Sequence, residues 1–421
     1  MKKSVAVIGS GIAGLSLSYF LQNKFNVTLF EKNDYLGGHA NTQDVKDLKQ
    51  NDISIDTGFI VFNESTYPNL TKLFKILDVK VCNSDMSFSF YNSSNQFEYG
   101  GGSLRALFAN PQNLLNLNFY KMLKDIVFFY KKFQDYNVSS NITIRQYLEK
   151  EKFSHEFIYN HFLPLISSIW SSPDSNSLDQ PLMSIINFFQ NHKLFNFINR
   201  PKWKTVRGGS RNYIKKLIQS SHFDIKTSFH INTINRENEI DIISNDKRFH
   251  FDLLVFACPP HHFLPLLTKK NDQELSILKA FKFQKNLAQL HQNSSLMPPH
   301  KNAWSSWNFH TNSNNQCTLS YWMNKLQPLN TKENFFVSLN QNQSSNLYQT
   351  VYEHPIFSLD TLRAQKDISQ IQGMNNTYYV GSYLGYGFHE DGVQSAIKVS
   401  KKLNLDLGQF GDADTSRIQW N

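Results

Sequence analysis

Two short apolar runs near the amino terminus flank a stretch with apolar residues at helical spacing. Ser4–Ile8 and residues 27–30 are rich in β-branched and aromatic side chains, which is typical of parallel strands buried on both faces. Residues 12–22 between them predict a helix. The pattern therefore predicts a β-α-β unit at the start of the chain, followed by strand character at residues 54–62 and a helix at 67–79.

The middle of the chain changes character twice. Residues 103–192 show mainly helical spacing, and Thr143 with Gln146 has the pattern of a capping box that opens one of these helices. Residues 283–340 alternate apolar and polar positions, as an antiparallel sheet does. The other elements predicted after residue 204 are a turn at 205–210, a helix at 211–219, a hairpin at 229–243, a buried strand at 251–257, a last parallel strand at 378–381 and a closing helix from near Asp391 to Leu403.

This order of elements predicts an α/β fold with a doubly wound, Rossmann-like nucleotide-binding domain and a substrate domain of mixed antiparallel sheet and helices. Because nucleotide-binding elements occur at both ends and in the middle of the chain, that domain is predicted to be discontinuous. Its segments are residues 1–75, 205–265 and 371–421. The substrate domain takes residues 76–204 as a helical insertion and residues 266–370 as its sheet.

A glycine-rich turn joins the first predicted strand to the first helix. Gly9-Ser10-Gly11-Ile12-Ala13-Gly14 matches G-x-G-x-x-G, and its place between a strand and a helix makes the match far more specific than the letters alone. The first glycine allows a tight turn, the second lets backbone N–H groups approach a pyrophosphate, and the third packs helix against strand. These six residues are therefore predicted to bind a dinucleotide at the positive end of the helix.

The acidic residue that ends the second strand narrows the choice of cofactor. Glu31, followed by Lys32, can accept hydrogen bonds from the ribose hydroxyls of an adenosine. A carboxylate here repels a 2′-phosphate, so NADP is disfavoured while NAD and FAD remain. Gly37 and Gly38 follow shortly afterwards, as expected of a chain that wraps the rest of an extended FAD. FAD is therefore the predicted cofactor.

These motifs resemble those of the flavin-containing amine oxidase superfamily. Besides the motifs above, the resemblance rests on residues 56–59 (Asp-Thr-Gly-Phe) and on Gly381 with residues 385–392, and it covers nearly the whole chain. Within the superfamily the chain is similar to a bacterial branch of flavoproteins encoded beside cyclopropane-fatty-acid synthases, which implies chemistry on lipid acyl chains. The segments that carry this closer similarity are residues 39–42, 56–62, 67–69, 85–88 and 385–392.

The resemblance implies a role for each matching position. Residues 9–14 and Glu31 would bind ADP-ribose, and the backbone of Ile231 would contact the adenine. The closing helix would bring a positive amino terminus to the flavin, where it can stabilise negative charge on a reduced ring. The remaining implied cofactor contacts are Lys32, Gly37, Gly38, His39, Gly58, Phe59, Gly381, Ser382, Gly392 and Val393.

Two departures from the superfamily pattern bear on the chemistry. His39 stands where amine oxidases usually carry arginine, and His389 stands where one aromatic residue of the cage beside the flavin is expected, so amine oxidation is disfavoured. His389 is the first predicted catalytic residue, because imidazole exchanges protons near neutral pH. Its alternative is a histidine that is simply hydrogen-bonded in the loop. Tyr321 is the second candidate, and its alternative is a core residue.

Charge and spacing exclude several other classes. A net charge of +9 suits nucleic acid, an anionic membrane surface or acidic substrates, but no base-reading or stacking module is recognisable, so no nucleic acid partner is predicted. The three cysteines lie far apart without C-x-x-C spacing. His155 and His161 are too far apart for the H-E-x-x-H zinc motif. Neither a disulfide framework nor a metal site is predicted.

Aromatic and basic residues are mixed at 119–132 and 188–204, which is typical of a helix that lies on an anionic bilayer, although an ordinary helix with a solvated face is the alternative. No stretch reaches the ~18 apolar residues that span a bilayer. We therefore expect a cytoplasmic protein, with peripheral contact to the inner face of the membrane as one variant.

Taken together, the sequence predicts an FAD-dependent oxidoreductase that transfers a hydride between flavin N5 and an apolar substrate, a modified fatty-acyl chain of a phospholipid. The direction of the reaction and the redox partner stay open. The alternatives are an amine or carotenoid-type oxidase and a non-catalytic flavin-binding protein.

Overall fold

The structure is a computed structural model that describes residues 1–134, 142–170, 178–191, 193–196, 200–237, 239–311, 317–341 and 345–420. Its first layer is a parallel sheet of five strands in the order β10-β2-β1-β14-β20. All five lie in the three segments predicted for the nucleotide-binding domain, although the exact boundaries of the domains stay a prediction. The strands are β1 (Ser4–Ile8), β2 (Asn26–Phe30), β10 (Asp224–Lys226), β14 (Leu253–Phe256) and β20 (Thr377–Tyr379).

Two helices cover one region of this sheet and meet at their amino termini. The helix Ile12–Leu21 follows β1 directly, and the closing helix His389–Lys402 packs against it. Both helices and the apolar strands share one large buried core. The predicted β-α-β unit, the parallel pairing of the last strand and the closing helix are therefore confirmed.

The second layer is a seven-stranded sheet in the order β19-β15-β18-β17-β16-β7-β8. Its pairs are antiparallel, as the alternating pattern predicts, except that β7 runs parallel to β16. The strands are β7 (Phe88–Asn92), β8 (Phe97–Gly100), β15 (Lys282–His291), β16 (Trp307–Thr311), β17 (Cys317–Trp322), β18 (Phe336–Leu339) and β19 (Tyr348–Ile356).

Three small sheets complete the strands and correct three predictions. They are the pair β3 (Thr42–Lys46) and β4 (Asp52–Asp56), the group β5 (Val61–Asn63), β9 (Trp203–Val206) and β6 (Val81–Asn83), and the meander β11 (Thr233–Asn235), β12 (Ile240–Ser244) and β13 (Lys247–Phe251). The strand predicted at 54–62 is wrong because the chain leaves β4 at the buried Asp56 and joins another sheet. The turn predicted at 205–210 begins later, because β9 pairs through Val206. The hairpin predicted at 229–243 is part of the meander, with its first strand beginning at Thr233.

The helical character predicted for residues 103–192 is confirmed in the residues that the structure describes, while the insertion as a domain stays a prediction. These helices share an aromatic core with the seven-stranded sheet, through residues such as Phe90 and Phe309. The predicted capping box at Thr143 and Gln146 is present. Among the described residues, no helix is both long and apolar enough to cross a membrane. The other α-helices are Pro68–Ile76, Leu104–Leu107, Leu117–Phe133, Ile144–Glu151, His155–Phe157, Leu163–Trp170, Leu182–Asn191, Arg211–Gln219, Pro260–Phe263, Asp272–Leu278, Met323–Leu326 and Leu359–Asp367, with a π-helical turn at Ile158–Phe162.

Candidate cofactor site

The three glycines of the first turn have different surroundings. A Cβ on Gly14 would lie 1.9 Å from the carbonyl oxygen of Gly9, and a Cβ on Gly9, which has φ +107°, would lie 2.8 Å from the carbonyl oxygen of Ala257. Packing of the protein itself therefore requires both. Gly11 has φ −64°, and a Cβ there would meet no atom within 4 Å. Gly11 thus faces open space at the carboxyl end of β1. A glycine whose backbone lies against a bound ligand is expected to face such a space.

Two helix amino termini converge beside Gly11. The helix Ile12–Leu21 has no side-chain cap, so the N–H groups of its first turn remain available to a ligand. A Cβ on Gly392 of the closing helix would lie 2.7 Å from Cγ2 of Ile12 and 3.4 Å from the nitrogen of Ala13. The first turns of both helices therefore touch. The closing helix carries Glu390 and Asp391 in its first turn, so the uncapped N–H groups of the helix Ile12–Leu21 are the ones that suit a pyrophosphate.

Glu31 lies at the same end of the sheet and holds the glycine turn in place. One carboxylate oxygen accepts hydrogen bonds from the backbone nitrogen (3.0 Å) and the hydroxyl (2.7 Å) of Ser10, and the other accepts from the Asn33 nitrogen at 2.9 Å. The nitrogen of Phe229 donates to the Glu31 carbonyl at 2.9 Å, which brings the segment leading to Ile231 alongside. Glu31 and Ile231 are thus brought together as predicted for an adenosine site, while Lys32 is exposed.

Three chain segments lie side by side next to the glycine turn. The Gly37 nitrogen donates to the Ser10 carbonyl at 3.0 Å, and the Phe59 nitrogen donates to the His39 carbonyl at 2.7 Å. Gly38, His39, Gly58 and Phe59 are all partly exposed, in contrast to the buried residues around them. They form one continuous partly open face with Gly11, as the prediction requires.

His39 does not supply the positive charge that an arginine would supply. Its ring stacks on Tyr352 with 4.9 Å between ring centroids and meets His354 edge-on at 5.4 Å. Burial lowers the pKa of His39, so the ring is neutral at pH 7. His39 would therefore add no positive charge to balance a bound diphosphate, and backbone N–H groups would have to stabilise it.

His389 lies in a tight aromatic environment. Its ring stacks on Phe59 with 3.6 Å between centroids and 17° between planes, so no other ring fits between them. The Tyr213 hydroxyl is 3.1 Å from Nε2 of His389. Burial first, and the nearby His39 second, lower the pKa of His389 well below its usual value. The imidazole tautomer decides which of these two atoms donates, and the catalytic role of His389 stays a prediction.

Asp56 organises the elements beneath this aromatic group. Its fully buried carboxylate accepts hydrogen bonds from the Ser210 nitrogen and hydroxyl, the Thr42 hydroxyl and the Gln327 amide at 2.6 to 3.0 Å. Burial raises the pKa of Asp56 to about 6, even though the hydrogen bonds from Thr42 and Ser210 act to lower it. The carboxylate therefore ties the hairpin β3–β4 to the turn that begins the Tyr213 helix.

Glu390 fixes the first turn of the closing helix. Its buried carboxylate accepts hydrogen bonds from the Asn69 side-chain amide at 2.7 Å and the Leu70 nitrogen at 2.9 Å, and so caps the helix Pro68–Ile76. The next residue, Asp391, lies 3.6 Å from the buried Arg417 guanidinium. These contacts hold the helix terminus at Gly392 in position.

The buried Glu390 predicts a loss of stability as the pH rises. Burial raises the pKa of Glu390 from 4.5 to about 7, so over this range the folded state keeps a proton that the unfolded state releases. The free energy of unfolding should therefore fall by up to about 3 kcal/mol as the pH rises through this window. Urea denaturation of the wild type and Glu390→Gln at several pH values measures the difference. Equal pH slopes in the two proteins would contradict the prediction.

Several residues predicted for the site do not present a side chain to the open face at Gly11. Tyr321 packs edge-on against Trp307, at 5.0 Å, in the apolar cluster of the seven-stranded sheet, whereas His389 contacts Phe59 and Tyr213. Val393 is fully buried in the core, and a Cβ on Gly381 would lie 2.3 Å from the ring of Tyr383. Val393 and Gly381 can therefore offer only backbone atoms to a ligand. Ser382 is partly exposed beside them.

Sequence reasoning missed the partners of the predicted histidines. Tyr213, Tyr352 and His354 gave no signal, because each sits at an ordinary position of an amphipathic helix or an alternating strand. A separate group, His261, His262 and Glu353, brings three donor atoms within 4.8 Å of one another. Both histidines contact one Glu353 oxygen, at 3.1 and 2.5 Å. The absence of a metal cofactor stays a prediction.

Comparison with known proteins agrees with this arrangement. Residues 7–77 match the family model of the NAD(P)-binding Rossmann-like domain. No curated protein sequence matches the chain. Three solved structures share the fold at low identity: a CLA-producing fatty acid isomerase from P. acnes (12% identity, TM-score 0.67, 96% of this chain and 99% of that one), a cyclohexylamine oxidase from Brevibacterium oxydans IH-35A (13%, 0.63, 96% and 100%) and a reduced UDP-galactopyranose mutase (12%, 0.67, 99% and 97%).

The likeness covers nearly all of this chain and of each similar chain, so both sheet layers and the helical insertion are included. The predicted relationship is confirmed at the level of the fold, while the closer similarity to flavoproteins encoded beside cyclopropane-fatty-acid synthases stays a prediction. This chain shares its fold with these three structures over nearly its whole length, and its residues 7–77 match the NAD(P)-binding Rossmann-like domain.

Proposed function

We propose that this protein is an FAD-dependent oxidoreductase that transfers a hydride between flavin N5 and an apolar substrate. The observation that carries the proposal is the convergence of two helix amino termini on the open space at Gly11, with Glu31 at the same end of the sheet. The chain supplies uncapped helix N–H groups for a diphosphate and a carboxylate for a ribose. These are the two recognition elements of an ADP moiety.

Different residues would contact different parts of such a cofactor. Backbone N–H groups of residues 11–14 would bind the pyrophosphate, Glu31 the ribose, and the backbone of Ile231 the adenine. Gly38, His39, Gly58 and Phe59 would line the rest, with Gly392 contributing the second helix terminus. Bound FAD supplies two-electron hydride chemistry, which no side chain of the protein can supply.

The protein's own groups determine the environment of the reaction. Phe59 and His389 form a flat, rigid wall, and the Tyr213 hydroxyl fixes the His389 ring. Nε2 of His389 is engaged by the Tyr213 hydroxyl, and the lowered pKa of the ring makes it a weak base. This favours a positioning role for His389.

We further propose that the substrate is a modified acyl chain of a phospholipid. The segment that leads into His389 packs into the aromatic core of the helical insertion, where Phe388 stacks on Phe188 with 5.0 Å between centroids. Apolar surroundings on this side suit an acyl chain better than a charged amine. One of the similar structures is a fatty acid isomerase, although the shared fold does not by itself transfer that activity.

Anaerobic spectroscopy of the purified protein tests both steps of the proposal. The protein should carry or take up FAD, and vesicles with methylated or cyclopropanated phospholipids should bleach the oxidised flavin or reoxidise the reduced flavin. Amines and polyenes are the comparison substrates. A colourless protein that binds no FAD would refute the cofactor. Bound flavin that responds to none of these compounds would favour the non-catalytic alternative, and a response to amines or polyenes alone would favour the other oxidases.

A further inference from the structure

We propose that the outer surface of the helical insertion docks on an anionic phospholipid bilayer. The proposal deepens the proposed function, because docking would bring the enzyme to a lipid substrate. Only this link to the substrate rests on the proposed function. We call the surface the leucine face. Its apolar members are Leu104, Leu114, Leu115, Leu117, Tyr120, Val127 and Phe128, and its basic members are Arg105, Lys121, Lys124 and Lys131.

The helix Leu117–Phe133 is apolar on both sides. Its inner side packs Phe119, Met122, Ile126, Phe129 and Phe133 into the aromatic core. A helix at the surface of a globular protein normally turns a charged and polar side to water. The outer side carries exposed lysines, but it also carries four exposed apolar residues, Leu117, Tyr120, Val127 and Phe128. This composition is typical of a helix that lies in the interface of a bilayer.

The segment before this helix adds three exposed leucines to Leu117. Leu115 is 91% exposed, Leu104 and Leu117 are each 78% exposed, and Leu114 is 54% exposed. Single exposed leucines are ordinary, but four within fourteen positions form a patch that marks an interaction site. These residues are held in place, because the Asn116 side chain accepts the Asn118 and Phe119 nitrogens.

The charges of the leucine face indicate a lipid partner. Asp125 is the only acidic residue between positions 101 and 134, and its carboxylate is occupied by the nitrogen (2.9 Å) and hydroxyl (2.5 Å) of Ser154. The exposed basic residues therefore have no acidic competitor on this stretch. A second copy of the chain on the same face would bring lysines against lysines. Anionic headgroups neutralise the lysines while the leucines enter the acyl region.

Vesicle binding tests the leucine face directly. The full-length protein is mixed with phosphatidylcholine vesicles and with vesicles of equal parts phosphatidylglycerol and phosphatidylcholine, and bound protein is separated by flotation. The triple variant Leu114→Ser, Leu115→Ser, Leu117→Ser should bind at least about tenfold more weakly than the wild type. Lys121→Gln with Lys124→Gln should remove most of the preference for the anionic vesicles.

A matched control uses apolar residues that are exposed elsewhere. Leu48, Leu347 and Val351 are 85%, 48% and 55% exposed, and their serine variants should bind as the wild type does. Wild type that binds neither vesicle, or equal losses in both serine triples, would overturn the proposal. Self-association that the leucine triple abolishes, without vesicle binding, would assign the face to a second copy instead. Flavin absorbance of the same samples separates these outcomes from a failure of the proposed function, because vesicle binding requires no flavin.

Discussion

Gly11→Val is expected to abolish the binding of FAD while the protein remains folded. The backbone at Gly11 has φ −64° and ψ 174°, which valine adopts readily, and the new side chain would meet no protein atom within 4 Å of its Cβ. The side chain instead fills the space where backbone N–H groups must approach the pyrophosphate. We expect affinity for FAD to fall at least about 100-fold, equivalent to about 2.7 kcal/mol.

Calorimetric titration with FAD and thermal unfolding of the apoprotein check the two halves of this result. Gly14→Ala is the matched control, since its Cβ would lie 1.9 Å from the Gly9 carbonyl oxygen. It should destabilise the apoprotein by about 3 kcal/mol, whether or not FAD is present. A Gly11→Val protein that still binds FAD with wild-type affinity would show that this space does not belong to the cofactor.

The sequence was most informative where structure depends on neighbouring residues. The strand Ser4–Ile8 and the helix Arg211–Gln219 have the predicted bounds, because a buried apolar run and a regular amphipathic spacing each define an element locally. The glycine turn and Glu31 were predictable for the same reason, because residues close together in the sequence determine the geometry of the turn. The single strand predicted at 54–62 failed because alternation continues through Asp56 although the chain there changes sheets.

Contacts between distant segments left no local signal. The parallel pairing of β7 with β16 brings Ser89 to the Asn308 amide across 219 positions, and the Tyr213 hydroxyl reaches His389 across 176. Each of these residues fits an ordinary position within its own element. The chemistry of His389 could not be predicted for this reason, because its lowered pKa results from burial by residues that only the fold brings together.

The buried ion pair of Arg236 and Glu274 is another such contact, and its disruption should have the largest effect on stability. The guanidinium donates to both carboxylate oxygens at 2.8 and 2.9 Å, and the Tyr379 hydroxyl donates to one of them at 2.6 Å. The two charged side chains are only 4% and 1% exposed. Arg236→Met leaves the Glu274 carboxylate buried without its counter-ion, so we expect a loss of about 3–5 kcal/mol in the free energy of unfolding at neutral pH.

Three comparisons distinguish this result from a general loss of packing. The double variant Arg236→Met, Glu274→Met removes both charges and should be markedly more stable than Arg236→Met alone, because apolar pairs of similar volume replace buried ion pairs at little cost. Lys46→Met, at a pair whose side chains are 53% and 69% exposed, should change stability by less than about 1 kcal/mol. The deficit of Arg236→Met should also grow as the pH rises, since an unpaired buried carboxyl has a raised pKa and its ionisation then costs stability. Urea denaturation of the four proteins at acidic and at neutral pH measures all three effects. A double variant no more stable than Arg236→Met would mean that the site depends on the shape of the two side chains and not on their charges.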